Sequence, residues 1–314
     1  MNIQQSVAEL GEFALIAAIS ERLGNVETDT IITPNGDDAA VTLADKPVVS
    51  CLDVLVQGVH FRLDWSTAFE IGRKSVAVNL ADIFAMGGDP KYFLVGLAIP
   101  AETKVQWVLE LADGIKHEAE LVGASVIGGD VVKADQVMIT ISAFGELQAA
   151  KPITRSGAKV GDVVAVAGRL GYAQAGLLML SRGFRSPKSI VSAHRVPEPP
   201  YELAKAALAA NSMIDVSDGL IADVGHLARA STVAINIESD KLEVTEELQA
   251  MASAFNGDAL TWVLQGGEDH AFVATFSSAL DVPPGWVIIG SVSTGEGVSL
   301  DGEEITATGW THFS

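Results

Sequence analysis

The chain has 314 residues, too many for one ordinary core and suited to two domains of about 150 residues each. Its formal net charge of −20 opposes nucleic acid and anionic membrane as partners, and any phosphate ligand would need cations between it and the protein. A single cysteine, Cys51, excludes an internal disulfide. With no signal-peptide blocks in MNIQQSVAEL and no apolar run near the roughly 18 residues that cross a bilayer, the expected location is the cytoplasm.

In chain order, residues 5–23 predict one amphipathic helix, with Val7, Leu10, Ala14, Ala17 and Ala18 near helical spacing. A loop rich in glycine and aspartate follows at 34–38, then strands within 39–43 and 47–56. The segment 67–86 predicts a helix closed by Gly87 and Gly88, with Pro90 beyond it. A strand is expected at 92–99 and a helix at 103–122, where Val105, Val108, Leu109, Ala112, Ile115, Ala119 and Val122 share one face. VIGGD (126–130) and VMITISAFGEL (137–147) read as strands. AAKPITRSGAKVGD mixes proline, glycine and basic residues between apolar runs, which divides the chain into domains 1–148 and 149–314. The second half predicts strands near 162–167, 233–237, 270–276 and 286–292, and helices from 172, at 199–210 and from 218. Two α/β domains, each a sheet with helices packed on one side, are expected.

Acidic residues stand beside glycine, or at the ends of apolar runs, in NGDDAAV (Asp37, Asp38), SCLDVLVQGVHF (Asp53, His60), NLADIFAMGGDP (Asp82), VIGGDVV (Asp130), MIDVSDGL (Asp215, Asp218) and QGGEDHAF (Glu268, Asp269). Glycine lets the backbone approach a ligand, and the carboxylate offers a hard oxygen suited to magnesium. An isolated pair is an ordinary turn; Gly161-Asp162 and Gly257-Asp258 are read that way. Ser75, Asn79 and Asp82 form a polar stripe on a largely apolar helix, so Asp82 needs either a metal or a buried cap or salt-bridge partner. Ser217, at a strand-to-helix junction, suits an N-cap, and the amides it would cap also attract phosphate. The chain has no GxxxxGK[ST] loop, no dinucleotide-binding glycine pattern opening it and no protein-kinase motif set.

The segments GEF (11–13), GDDAAV (36–41), DVLVQGVHF (53–61), AVNLADIFAMGGDP (77–90), IGGD (127–130), TRSGAKVGD (154–162), IDVSDGL (214–220) and GGED (266–269) resemble, in order and spacing, the thiamine-monophosphate kinase family. Each motif alone is weak; the ordered set spans nearly the whole chain. The resemblance implies the superfamily of aminoimidazole ribonucleotide synthetase: an α/β (α+β) fold whose amino-terminal sheets pair in a homodimer around the ATP sites, followed by a carboxy-terminal α/β domain. It implies ATP-dependent phosphorylation of thiamine phosphate to thiamine diphosphate. It further implies magnesium held by Asp38, Asp53, Asp82, Asp130, Asp215 and Asp218, with Asp37 beside that cluster. Gly129, Asp130, Arg155 and Ser217 match ATP contacts, and His60, Glu268 and Trp310 match the thiamine phosphate side. One departure stands out. The family usually has Ser or Thr in the two positions before the aspartate of DVLV, where this chain has Cys51 and Leu52. An ATP-dependent cyclase on the same scaffold is the alternative, and it would release free phosphate in place of a diphosphate product.

Overall fold

The computed structural model describes residues 2–24, 28–33 and 39–305. The helix expected over 5–23 is broken at Gly11, whose φ of 86° is a left-handed conformation that cannot continue a helix. This leaves α1 (Val7–Leu10), started by a reciprocal capping box between Ser6 and Glu9, and α2 (Glu12–Leu23). The short strands β1 (Ile31–Thr33) and β2 (Val41–Thr42) pair antiparallel.

The rest of the first unit is β3 (Val48–Val56), α3 (Ala68–Ala85), β4 (Gly88–Ile99), α4 (Val105–Glu120), β5 (Ser125–Lys133) and β6 (Met138–Leu147). β4 begins earlier than expected and takes in Pro90, which sits at a bulge where its missing amide breaks no ladder. The sheet order is β3-β6-β4-β5, with only β4 and β5 parallel. Along β6, Ile139, Ile141, Ala143 and Leu147 are buried, while Met138, Thr140, Ser142 and Phe144 face the other side and stay half-exposed. α3 lies on the buried face, where an added Cβ on Gly145 would stand 2.8 Å from the Ile83 side chain. α3 and α4 are clamped at two glycines. A Cβ on Gly72 would meet the Leu111 carbonyl at 2.2 Å, and one on Gly114 would meet the Phe69 carbonyl at 2.1 Å.

The second unit takes Phe84–Gly87 and everything from Gln148 onward. Its elements are β7 (Val163–Ala167), α5 (Tyr172–Ser181), α6 (Lys188–Arg195), α7 (Tyr201–Ala206), β8 (Ser212–Val216), α8 (Leu220–Ser231), β9 (Ala234–Ile237), α9 (Glu246–Ala254), α10 (Ala259–Gln265), β10 (Ala271–Phe276), β11 (Val287–Ser293), β12 (Gly297–Leu300) and β13 (Glu303–Ile305). The seven described strands run β13-β12-β9-β11-β7-β10-β8. β8 and β10 are buried at every position. Both faces of the sheet are therefore covered at β8 and β10, so packing on one side does not describe that end, while β9 and β11 mix buried with half-exposed or exposed positions. Among the described residues, no helix is long and apolar enough to cross a membrane.

Candidate active site

In the first unit, α3 opens on a capping box between Thr67 and Glu70. Its polar stripe is buried and internally bonded. Ser75 Oγ donates to the Gly72 carbonyl at 2.8 Å, and Asn79 Nδ2 donates to the Ser75 carbonyl at 3.0 Å. Cys51 Sγ lies 3.5 Å from both Asn79 Oδ1 and the Asn79 carbonyl, so the stripe faces β3. Asp82 continues the stripe and is half-buried, as is Asp53, which shares the Cys51 face because both alternate inward. Leu52 points to the opposite face and is 56% exposed. The sulfur is thus turned to α3, and the leucine away from Asp53.

Asp130 sits elsewhere. It is exposed in β5 opposite Gly96, which in turn pairs with Thr140 on the open face of the sheet. Asp53 and Asp130 therefore occupy opposite edge strands and opposite faces, three strand spacings or roughly 14 Å apart. Gly129 is explained by packing within the sheet: a Cβ there would stand 2.2 Å from the Val95 carbonyl. A cavity of about 1040 Å³ opens on this face, with Phe13, Ile16, Tyr92, Leu94, Gly129 and Asp130 among its walls.

His60 lies in the turn after β3. Its amide donates to the Val56 carbonyl at 3.0 Å, and its Nδ1 accepts the Val56 amide at 3.0 Å. Lys74 of α3, 2% exposed, donates from Nζ to the His60 carbonyl at 3.0 Å. Sequence reasoning passed over Lys74, although a lysine within an apolar helical run was the available signal.

In the second unit, Asp215 is 5% exposed in β8 and accepts from His270 Nδ1 at 2.9 Å. Ser217 is not the helix cap. Gly219, at φ 116°, holds that position with no side-chain cap bond. Instead Asp223, one turn into α8, reaches back to accept the Asp218 amide at 3.0 Å. That amide is thereby taken, and it is not an open phosphate donor. Asp223 is 2% exposed, and burial, with Asp215 and then Asp218 nearby, pushes its carboxyl up to about 7. The loop 266–270 locks onto the same junction. Glu268 donates its amide to the Ser217 carbonyl at 2.8 Å, and a Cβ on Gly267 would stand 2.5 Å from that oxygen. Glu268 has φ 70° and His270 φ 50°, left-handed values unusual outside glycine.

Asp269 has a structural place. It accepts the amides of Gly171 and Ala173 at 2.6 and 2.8 Å at the start of α5. Burial pushes its carboxyl up to about 7 against those two donors. Asp258 caps α10, and Asp162 binds Asn211 and the Lys159 amide, so both Gly-Asp pairs read as turns are structural. Arg155 is exposed, on a turn whose carbonyl accepts from Ser231 at the end of α8. Its charge helps lower the pKa of His226, after burial and Arg229. Asp37, Asp38 and Trp310 lie outside the described residues.

Among the described residues, ligand atoms of Asp218, Asp223 and His226 come within 4.8 Å of one another. The two carboxylates fit a hard divalent cation: each offers oxygen, and mutual repulsion raises the cost of leaving both ionised without one. His226 does not fit. Arg229 donates to its Nδ1 at 3.0 Å, and a guanidinium can only donate, so the neutral ring carries its hydrogen on Nε2. The Asp223-x-x-His226 spacing, one face of a helix beginning at the site, was the missed signal.

Residues 36–147 match the family of AIR synthase related protein, N-terminal domain, and residues 159–303 match its C-terminal domain. A thiamine-monophosphate kinase of Mycobacterium tuberculosis is 44% identical over 98% of this chain and 93% of its own length. The crystal structure of thiamine monophosphate kinase from Aquifex aeolicus superposes with a TM-score of 0.79 at 32% identity, covering 95% of this chain and 98% of that one. AaThiL complexed with AMPPCP and TMP superposes with a TM-score of 0.81 at 34% identity, covering 97% and 98%. With both halves matched in order and near-complete coverage at this identity, the chain belongs to the thiamine-monophosphate kinase family of AIR synthase related proteins.

Proposed function

We propose that the chain transfers the terminal phosphoryl group of ATP directly to the phosphate of thiamine monophosphate, forming thiamine diphosphate and ADP. The observation that carries this reading is the near full-length likeness to AaThiL complexed with AMPPCP and TMP. The acceptor is a phosphate monoester oxygen, already anionic near neutral pH, so the residues need not supply a general base. Their work is positioning and charge neutralisation. Asp38, Asp53, Asp82, Asp130, Asp215 and Asp218 would hold several magnesium ions, with Asp223 added to the last pair. Magnesium, when bound, offsets the repulsion between two phosphate groups that must meet in line.

Gly129 and Asp130 line the apolar cavity on the open sheet face, which suits the flat, apolar base of ATP. Arg155 and Ser217 would take nucleotide phosphates through their side chains, while His60, Glu268 and Trp310 would take thiamine monophosphate. Within one chain Asp53 and Asp130 are too far apart to share an ion. The homodimer that the family resemblance implies would cover the open face, where Val48, Leu52, Val54 and Leu94 stand exposed. The demand for ATP is consistent with a cytoplasmic location.

An ADP-release assay across thiamine monophosphate, thiamine and aminoimidazole precursors tests the reading. ADP with thiamine diphosphate, from thiamine monophosphate alone, is the expected result. ADP with free phosphate, or turnover of an aminoimidazole precursor, would replace it with a cyclase. Direct transfer also requires intersecting double-reciprocal lines; phosphate trapped on the protein after mixing with ATP alone would overturn it.

A further inference from the structure

Lys74 is among the largest fully buried side chains of the described residues. Burying an amine is costly unless it is bonded, and removing it leaves its buried partners unsatisfied. A lysine there must be held by polar partners, the His60 carbonyl among them. Its direction is set by the helix clamp. Gly72 is pressed against the Leu111 carbonyl of α4, and two residues further along, about 200° around the helix, Lys74 faces the opposite way. There it meets the turn that follows β3.

That turn is tight. Gly58, at φ 85°, donates its amide to the Phe61 carbonyl at 2.8 Å, and buried Phe61 anchors the far end. His60 is gripped through its amide by the Val56 carbonyl, through Nδ1 by the Val56 amide, and through its carbonyl by Lys74 Nζ. A backbone amide can only donate, so Nδ1 accepts and the neutral ring carries its hydrogen on Nε2. We propose that Lys74 is a positioning residue: by holding the His60 carbonyl it keeps the turn in the orientation in which the Val56 amide reaches Nδ1, so that the ring presents Nε2–H as a donor to the phosphate of the acceptor substrate. This rests on the substrate-side reading of His60, and it adds which residue aims the ring and which atom of the ring acts.

The test uses the whole chain with Lys74→Met, which keeps most of the side-chain length and removes the donor, and Lys74→Gln, of similar reach and still polar, should the first not fold. Two-bond 1H–15N spectra of the imidazoles report the tautomer without any turnover. Wild type should show His60 as a single Nε2–H tautomer, and Lys74→Met should show a mixed or altered pattern at that ring. In kinetics, Lys74→Met should raise KM for thiamine monophosphate about tenfold or more, the equivalent of one lost hydrogen bond to a charged group. KM for ATP should stay within about twofold, while the melting temperature should fall because the His60 carbonyl loses its donor. Added to His60→Ala, Lys74→Met should change KM little further, because both act through one ring. An unchanged His60 tautomer, equal rises in both Michaelis constants, or additive effects in the double variant would each overturn the proposal. If wild type does not phosphorylate thiamine monophosphate at all, the kinase reading fails on its own. The His60 spectra then still decide the role of Lys74.

Discussion

Asp223 is a group on which burial and like charge act together, and asparagine removes the charge while keeping an oxygen for the Asp218 amide. Its carboxyl, 2% exposed, is pushed from 3.8 up to about 7. The folded chain therefore holds a proton between those values that the unfolded chain has released. Stability falls as pH rises through the window and is level above it. At about 1.4 kcal/mol for each pH unit, the loss approaches about 4 kcal/mol by neutrality as an upper bound. In EDTA, Asp223→Asn should match wild type near the low end of the window and exceed it by up to about 4 kcal/mol above neutrality. Urea unfolding across that range measures the difference directly. Asp269 is raised to a similar value, but it is present in both proteins and cancels. Magnesium should then stabilise wild type more than the variant and close the gap. A variant-minus-wild-type difference that is flat with pH would refute the reasoning.

Asp82→Asn should lower turnover by several powers of ten while leaving the melting temperature of the metal-free protein level or higher; near-normal rates at ordinary magnesium would remove Asp82 from the metal set. Trp310→Ala should raise KM for thiamine monophosphate far more than for ATP, and equal effects on both would assign the tryptophan to packing. Gly129→Ala should fail at the level of the sheet, since its Cβ would stand 2.2 Å from the Val95 carbonyl. The variant should show a large drop in melting temperature, and a fully stable but inactive protein would show that Gly129 serves the ligand instead.

Cys51 and Leu52 show how position decides chemistry. The departure from the family's Ser or Thr was plain in the sequence, but only the register showed that the sulfur turns to Asn79 and the leucine to the opposite, exposed face. A side-chain contact from Leu52 to an ion beside Asp53 is excluded by alternation alone.

The local facts were legible in the sequence. Helical spacing and the terminal Gly87 and Gly88 delimited α3, apolar periodicity delimited α4, and the ordered aspartate motifs pointed to the family before any fold was known. These signals lie within a few turns of chain, where spacing determines which side chains share a face. Non-local facts were not legible. The burial of Lys74 against the His60 turn and the separation of Asp53 from Asp130 depend on strand order, register and helix clamping. Strand order is decided by pairings between segments distant in sequence, and one residue of register turns a carboxylate from the helix-covered face to the open one. The sequence by itself therefore determined the family and named the candidate residues, and only the tertiary structure decided how strand order and register space them within each unit.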